Sequence, residues 1–290
     1  AVTVLLSLEQ RAQSRLRFAN GRSDAQGSEA RAHKLTGWPA GLAFALCFIP
    51  VLLGFVLPVL LMGRALLESL QSIDVPWLRF MHWTLTSIAL GGVTALLAVL
   101  VALGLSSQDR LSGTALTRAL LRTVGLGYAI PGAVIVVGLL LPLGWVQSVW
   151  PQSGAGYWLT ATVLGLVWAY LVRFVAVALQ SVGSGYARIP ASLDESARML
   201  GVSGWRLVRT VHAPLLRKPV AAALLLVLVD VMKELPATLV LRPFNTDTLA
   251  VMAYQLARDE RLGEAALPSL ALVLVGLLPV ILLSRTLRRH

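Results

Sequence analysis

Long apolar runs separated by short polar ones set the pattern of this chain. Six segments approach the roughly 20 residues that carry a helix across about 30 Å of hydrocarbon. They lie near 38–62, 83–105, 123–145, 157–179, 219–231 and 267–283. The pattern predicts an all-α polytopic membrane bundle, 38–290, preceded by a polar connector, 1–37. The apolar opening, residues 1–8, reads as the tail of a span that begins before this chain. Pro131 and Pro142 fall in the third segment and Pro279 in the sixth, so bends or breaks are expected there. Small residues recur at four-residue spacing in Gly125, Ala129 and Ala133, and in Ala161, Gly165 and Ala169, which predicts close helix contacts.

Composition agrees: 57% of the 290 residues are hydrophobic and 13% are charged. The one cysteine, Cys47, sits in an apolar run and excludes a disulfide framework. The net charge of +11 changes the picture only through its distribution. Residues 9–36, the loop after the second segment, the loop after the fourth and the C-terminal tail hold 18 Lys and Arg residues, against five in the opposite loops. Positive residues mark the cytoplasmic side, so both termini and the loop at 181–218 are expected there. The arginines of the connector are explained by topology, and nucleic acid is not expected as a partner.

The most informative polar stretch is Ser192 to Pro214. Ser192 with Glu195 predicts a capping box. Gly201 is expected to end that helix in the left-handed conformation. Ser203 is expected to cap a second short helix through about Thr210, with Pro214 stopping it. A helix–glycine turn–helix unit thus lies between two spans. It carries Arg198, Arg206 and Arg209 beside apolar Met199, Leu200, Trp205 and Leu207.

Glu195-Ser196-Ala197, three residues, Gly201, nine residues and then Val211-His212-Ala213-Pro214 resemble the EAA loop of ABC-importer permeases, the MetI-like superfamily. Ser196, Val211 and Ala213 depart from that pattern by small changes. The resemblance implies a coupling helix that docks on a cytoplasmic ATPase dimer, through Asp194, Glu195, Ala197, Gly201, Trp205, Arg206 and Pro214. It also implies a second permease half, a periplasmic substrate-binding protein and an inner-membrane location. No phosphate-binding G-x-x-x-x-G-K-[ST] loop occurs in this sequence. ATP and Mg are therefore expected on the ATPase, with no cofactor and no catalytic or metal-ligating set on this chain.

The fifth apolar segment carries Asp230, Lys233 and Glu234 before Pro236. Ionisable groups at membrane depth pair with one another or line a polar pathway. Asp230 can pair with Lys233, which leaves Glu234 as the net carboxylate. Arg173, in the fourth segment, has Asp230 or Glu234 as a possible partner. Pro236 predicts a helix break that opens backbone carbonyls to a cavity. These five residues form the candidate translocation pathway or gate, the alternative being an internal salt bridge that locks the bundle. Lys233 to Pro243, K-E-L-P-A-T-L-V-L-R-P, is similar to a motif of ferric-iron importer permeases, which are commonly two fused six-span halves. That likeness implies ferric iron as cargo. Permeases for thiamine, polyamine, sulfate or phosphonate are the near alternatives, and a secondary transporter using the charged cluster as a proton relay is the distant one. The polar segment 242–266 is expected to hold a short interfacial helix.

Overall fold

A computed structural model of the chain describes residues 36–72 and 77–287. The connector expected at 1–37 lies almost wholly outside the described residues. The fold is 87% helical and has no strand among the described residues. It divides into two compact units, ending and beginning at Val56 and Leu57. The described part of the first unit is helix α1 (Trp38–Val51), followed by a π-helical turn at Leu52–Val56.

The second unit is a bundle of α2 (Leu57–Ser72), α3 (Trp77–Ser112), α4 (Ala115–Gly125), α5 (Gly132–Val149), α6 (Ala155–Thr160), α7 (Val163–Ala187), α8 (Ala191–Met199), α9 (Gly204–Leu207), α10 (Ala213–Leu215), α11 (Arg217–Met232), α12 (Pro236–Leu241), α13 (Leu249–Arg258) and α14 (Leu262–Leu287). Its centre is α3, α7 and α11, which pack on one another along most of their lengths. Ala98, Ala102, Leu166, Ala178, Val182, Ala223 and Val227 are fully buried where they meet. Small side chains let the backbones approach. At Gly91 an added Cβ would lie 2.8 Å from Leu228 of α11. Large apolar side chains cover the outer faces of α3 and α5, as the lipid-facing side of a bundle requires.

Among the described residues, five helices are long and apolar enough to span a bilayer: Trp38–Gln71, Trp77–Ser112, Gly132–Val149, Val163–Ala187 and Leu262–Ile281. The fifth of the six expected segments differs. Helix α11 has 16 residues, which at 1.5 Å per residue reach about 24 Å, short of the hydrocarbon thickness. The chain breaks at Lys233 and restarts as α12 with Pro236 in its first turn, as the proline predicted.

The third segment also differs from expectation. Pro131 does not bend a helix that begins at 123; it stands at the N-cap of α5. The preceding residues form amphipathic α4 and a 3-10 turn at Gly127–Ala129. Gly125, Ala129 and Ala133 therefore do not share one helix face. The close contact falls instead on Gly127, where a Cβ would lie 1.9 Å from the Val172 carbonyl of α7. Gly165 likewise abuts the Leu159 carbonyl next to it in the chain, not another span.

Candidate coupling loop and intramembrane ion pair

The polar loop is two short helical limbs joined by a glycine turn. Helix α8 starts two residues earlier than the capping box would place it. Pro190 occupies the N-cap, with φ −66° and ψ 148°, and no side chain caps the helix. Ser192 then falls inside the first turn, where it cannot serve as the cap. The other end is as predicted. Gly201 has φ +79°. Its N–H donates to the Arg198 carbonyl at 2.9 Å, and Val202 N–H donates to Ala197 at 2.9 Å. This is a Schellman closure, which only a residue tolerant of positive φ can make without strain. An added Cβ at Gly201 meets nothing within 4 Å, so backbone strain alone sets the effect of substitution. Gly201→Val is expected to cost about 1–2 kcal/mol, read as a lowered unfolding midpoint in detergent; Gly201→Asn is expected to cost less.

The second limb is not stopped by Pro214. Ser203 stands at the N-cap of α9, without a side-chain bond. The chain then widens into a π-helical turn at Val208–His212, where Ala213 N–H bonds back to Val208, and continues through α10. Proline has no N–H and its ring crowds the carbonyl four residues back. The wide turn accommodates both.

This geometry sorts the side chains. Met199, Leu200 and Trp205 are 90%, 83% and 71% exposed, an apolar tip well beyond what a solvated loop helix normally shows. Glu195, Gly201, Arg206 and Pro214 are exposed beside it, together with Arg198 and Arg209. Asp194 and Ala197 face inward and are buried. Asp194 thus sits below the tip and not on it.

Around Asp194 the structure closes a polar chain that the sequence did not announce. Arg110, at the end of α3, donates from Nε to Asp194 Oδ2 at 2.7 Å and from Nη2 to the Ile189 carbonyl at 2.9 Å. His212, fully buried, places Nε2 3.0 Å from Asp194 Oδ1 and Nδ1 3.5 Å from Tyr186 Oη. Tyr186 Oη lies 2.8 Å from Ser107 Oγ. An ionised carboxylate only accepts, so His212 carries its proton on Nε2. Burial by itself would raise the Asp194 carboxyl. Hydrogen bonds from His212 and Arg110, with the Arg110 charge, outweigh it and hold the group below its ordinary range. A depressed carboxyl adds stability above its unfolded pKa and loses it as pH falls through the folded value. Native protein is therefore expected to keep this contribution at neutral pH and to lose it below about pH 4. The difference in melting temperature from Asp194→Asn should shrink over that acid range.

The second cluster lies where α11 breaks. Arg173 Nη1 on α7 is 3.0 Å from Glu234 Oε1 and 2.9 Å from Oε2. The Arg173 guanidinium also lies 5.5 Å from the Phe174 ring and 6.0 Å from that of Tyr128. Thr238 Oγ1 donates to the Glu234 carbonyl, so the Tyr170 hydroxyl, 2.6 Å away, donates to Thr238. Gly132, at the start of α5, seats the pair; a Cβ there would stand 2.3 Å from Glu234 Oε1 and 2.8 Å from Arg173 Nη1. Of the two partners expected for Arg173, Glu234 is the one found. The expected Asp230–Lys233 ion pair is absent among the described residues. Lys233 falls at the C-cap of α11, where the backbone turns, and its exposed stem lies along α14 at Gly276. Pro236 is exposed at the start of α12. In segment 242–266, Arg242 pairs with Asp247 and Arg261 with Glu264, and α13 supplies the expected short helix.

Residues 97–289 match the family described as binding-protein-dependent transport system inner membrane component. The chain is 29% identical over 205 residues to the putative 2-aminoethylphosphonate transport system permease protein PhnV of Salmonella typhimurium, covering 71% of this chain and 74% of that protein. It is 27% identical over 200 residues to the Fe(3+)-transport system permease protein FbpB 2 of Haemophilus influenzae, covering 69% of this chain and 38% of that longer one. Among solved structures, a chain of a bacterial alginate ABC transporter, in complex with an alginate pentasaccharide-bound periplasmic protein, shares the fold. It has a TM-score of 0.65 at 17% identity, over 87% of this chain and 94% of that one.

Proposed function

Because the chain belongs to the binding-protein-dependent transport system inner membrane component family, we propose that a separate ATPase drives it by docking on the tip at 199–206. The observation that carries this reading is the exposed Met199, Leu200 and Trp205, set among basic residues at the end of a rigid glycine turn. Such a knob fits an apolar cleft on a partner whose rim is polar. Glu195 and Arg206 flank the knob and meet that rim. The charge asymmetry of the loops supports a cytoplasmic tip and cytoplasmic termini. ATP and Mg reside on the ATPase, a second permease half completes the pathway, and a periplasmic binding protein delivers cargo from the other side. The Arg173–Glu234 pair, at the break between α11 and α12, serves as the gate.

Ferric iron is the cargo supported by the Lys233–Pro243 string and by the likeness to FbpB 2. A phosphonate such as 2-aminoethylphosphonate is the second reading, favoured by the fuller overlap with PhnV. Proteoliposomes holding the full-length permease, its cognate ATPase and its binding protein separate the two. The expected result is uptake of radiolabelled ferric iron that requires ATP and all three proteins. Uptake of labelled 2-aminoethylphosphonate instead reassigns the cargo. Uptake without the ATPase overturns the importer reading in favour of an ion-driven carrier.

A further inference from the structure

We infer that the chain Arg110–Asp194–His212–Tyr186–Ser107 is the transmission of this permease, the linkage that makes the docking tip and two membrane helices move as one body. The inference rests on the docking proposed above but assigns a role to residues that do not dock.

The geometry supports it in three ways. First, the chain joins four elements at the base of the loop. Ser107 and Arg110 belong to the end of α3, Tyr186 to the end of α7, Asp194 to α8 and His212 to the π-helical turn. Arg110 also holds the Ile189 carbonyl in the short link between α7 and α8. The first limb is therefore fastened to α3 and the second to α7, and the Asp194–His212 contact fastens the limbs to each other. Second, the fastening is buried and directional. His212 is fully buried, and the Asp194 side chain is 7% exposed. Asp194 spends both carboxylate oxygens on it, one on Arg110 and one on His212. The Tyr186 and His212 rings meet edge to face at 5.2 Å, which fixes the turn sideways as well as lengthwise. Third, the fastening and the tip are separate. Asp194 and Ala197 face inward from α8, while Met199, Leu200 and Trp205 project outward beyond the Gly201 turn. A force on the tip then passes through α8 and the π-helical turn into α3 and α7, two of the three helices that form the bundle core. Hydrogen-bond networks and rigid helices of this kind can carry coupling between distant sites.

Arg110, Asp194 and His212 are thus positioning residues, and their loss should uncouple the two subunits without separating them. The test uses the full-length permease reconstituted with its cognate ATPase and binding protein. It compares native protein with Asp194→Asn, Arg110→Lys and Trp205→Ala, measuring ATPase retention, ATP hydrolysis and cargo moved per ATP. Lysine in place of Arg110 keeps the charge but replaces the fixed Nε and Nη2 fork with a single nitrogen on a flexible stem.

The expected result is that Asp194→Asn and Arg110→Lys retain the ATPase and its hydrolysis, while cargo per ATP falls by about tenfold or more. Trp205→Ala should lose the ATPase itself. Tyr186→Phe, which deletes a single hydroxyl from the chain, keeps the question answerable should Asp194→Asn fail to fold. It should lower cargo per ATP in the same direction by less. Cargo per ATP within a factor of about two of native in the folded variants overturns the inference. So does loss of the ATPase in step with Trp205→Ala, since the chain would then only support the docking face. Failure of the native permease to retain any ATPase overturns the docking reading, and the transmission with it.

Discussion

Glu234→Ala is expected to destabilise the folded permease by about 3–5 kcal/mol, because it leaves the largely covered Arg173 guanidinium at membrane depth without its counter-charge. The size follows from the surroundings. The pair is wedged between the break of α11, the start of α5 at Gly132 and the rings of Tyr128 and Phe174. Among the described residues, Glu234 is the carboxylate that pairs with the Arg173 guanidinium. Removing both charges together, as Arg173→Met with Glu234→Leu, should restore most of the stability, since buried ion pairs are often replaceable by apolar groups of similar volume. Transport should remain lost in that double variant, because the pair is proposed as the gate and not merely as a brace. Thermal unfolding in detergent reads the first effect and ATP-dependent uptake the second. Recovery of uptake in the double variant would reduce the pair to a structural lock.

Trp205→Ala carries the other large effect, on association and not on folding. The side chain is 71% exposed, so its removal leaves the isolated permease about as stable as before. In the complex it would be a buried aromatic anchor, whose truncation typically costs 2 kcal/mol or more, about thirtyfold in dissociation constant. Met199→Ala and Leu200→Ala should act in the same direction by smaller steps. Binding of the purified ATPase to immobilised permease measures the change directly. A dissociation constant unmoved by all three variants would place the docking face elsewhere.

The class of the fold was legible in the sequence because a membrane span leaves a long, dense apolar signal. Gly201 was legible for a local reason: a positive φ at a helix end leaves few residue choices. Pro236 was legible because proline cannot continue the helix that precedes it. The failures have equally specific causes. Pro190 displaced the predicted cap at Ser192 because a proline's preset backbone outweighed a side-chain hydrogen bond. Pro214 was absorbed by a π-helical turn, a register that no single residue announces. The Arg110–Asp194 contact spans 84 positions, so nothing local marks it. His212 stood in the loop motif between Val211 and Pro214, but nothing local tied it to Asp194, 18 positions away. The Asp230–Lys233 pairing was not met because helical spacing from Asp230 assumed that the helix continued, and Lys233 is its C-cap.

Crosslinking at the tip tests the central claim most directly. Cys47→Ser, with any other cysteine of the full-length permease also replaced, removes the background thiols, and Met199→Cys or, as a control on the opposite loops, Phe244→Cys introduces one new site. The membranes also contain the cognate ATPase. A bifunctional thiol reagent should join residue 199, and not residue 244, to the ATPase, and a membrane-impermeant thiol reagent added from outside should reach only residue 244. Labelling of residue 199 from outside, or its failure to crosslink while the ATPase is bound, would contradict a cytoplasmic docking tip.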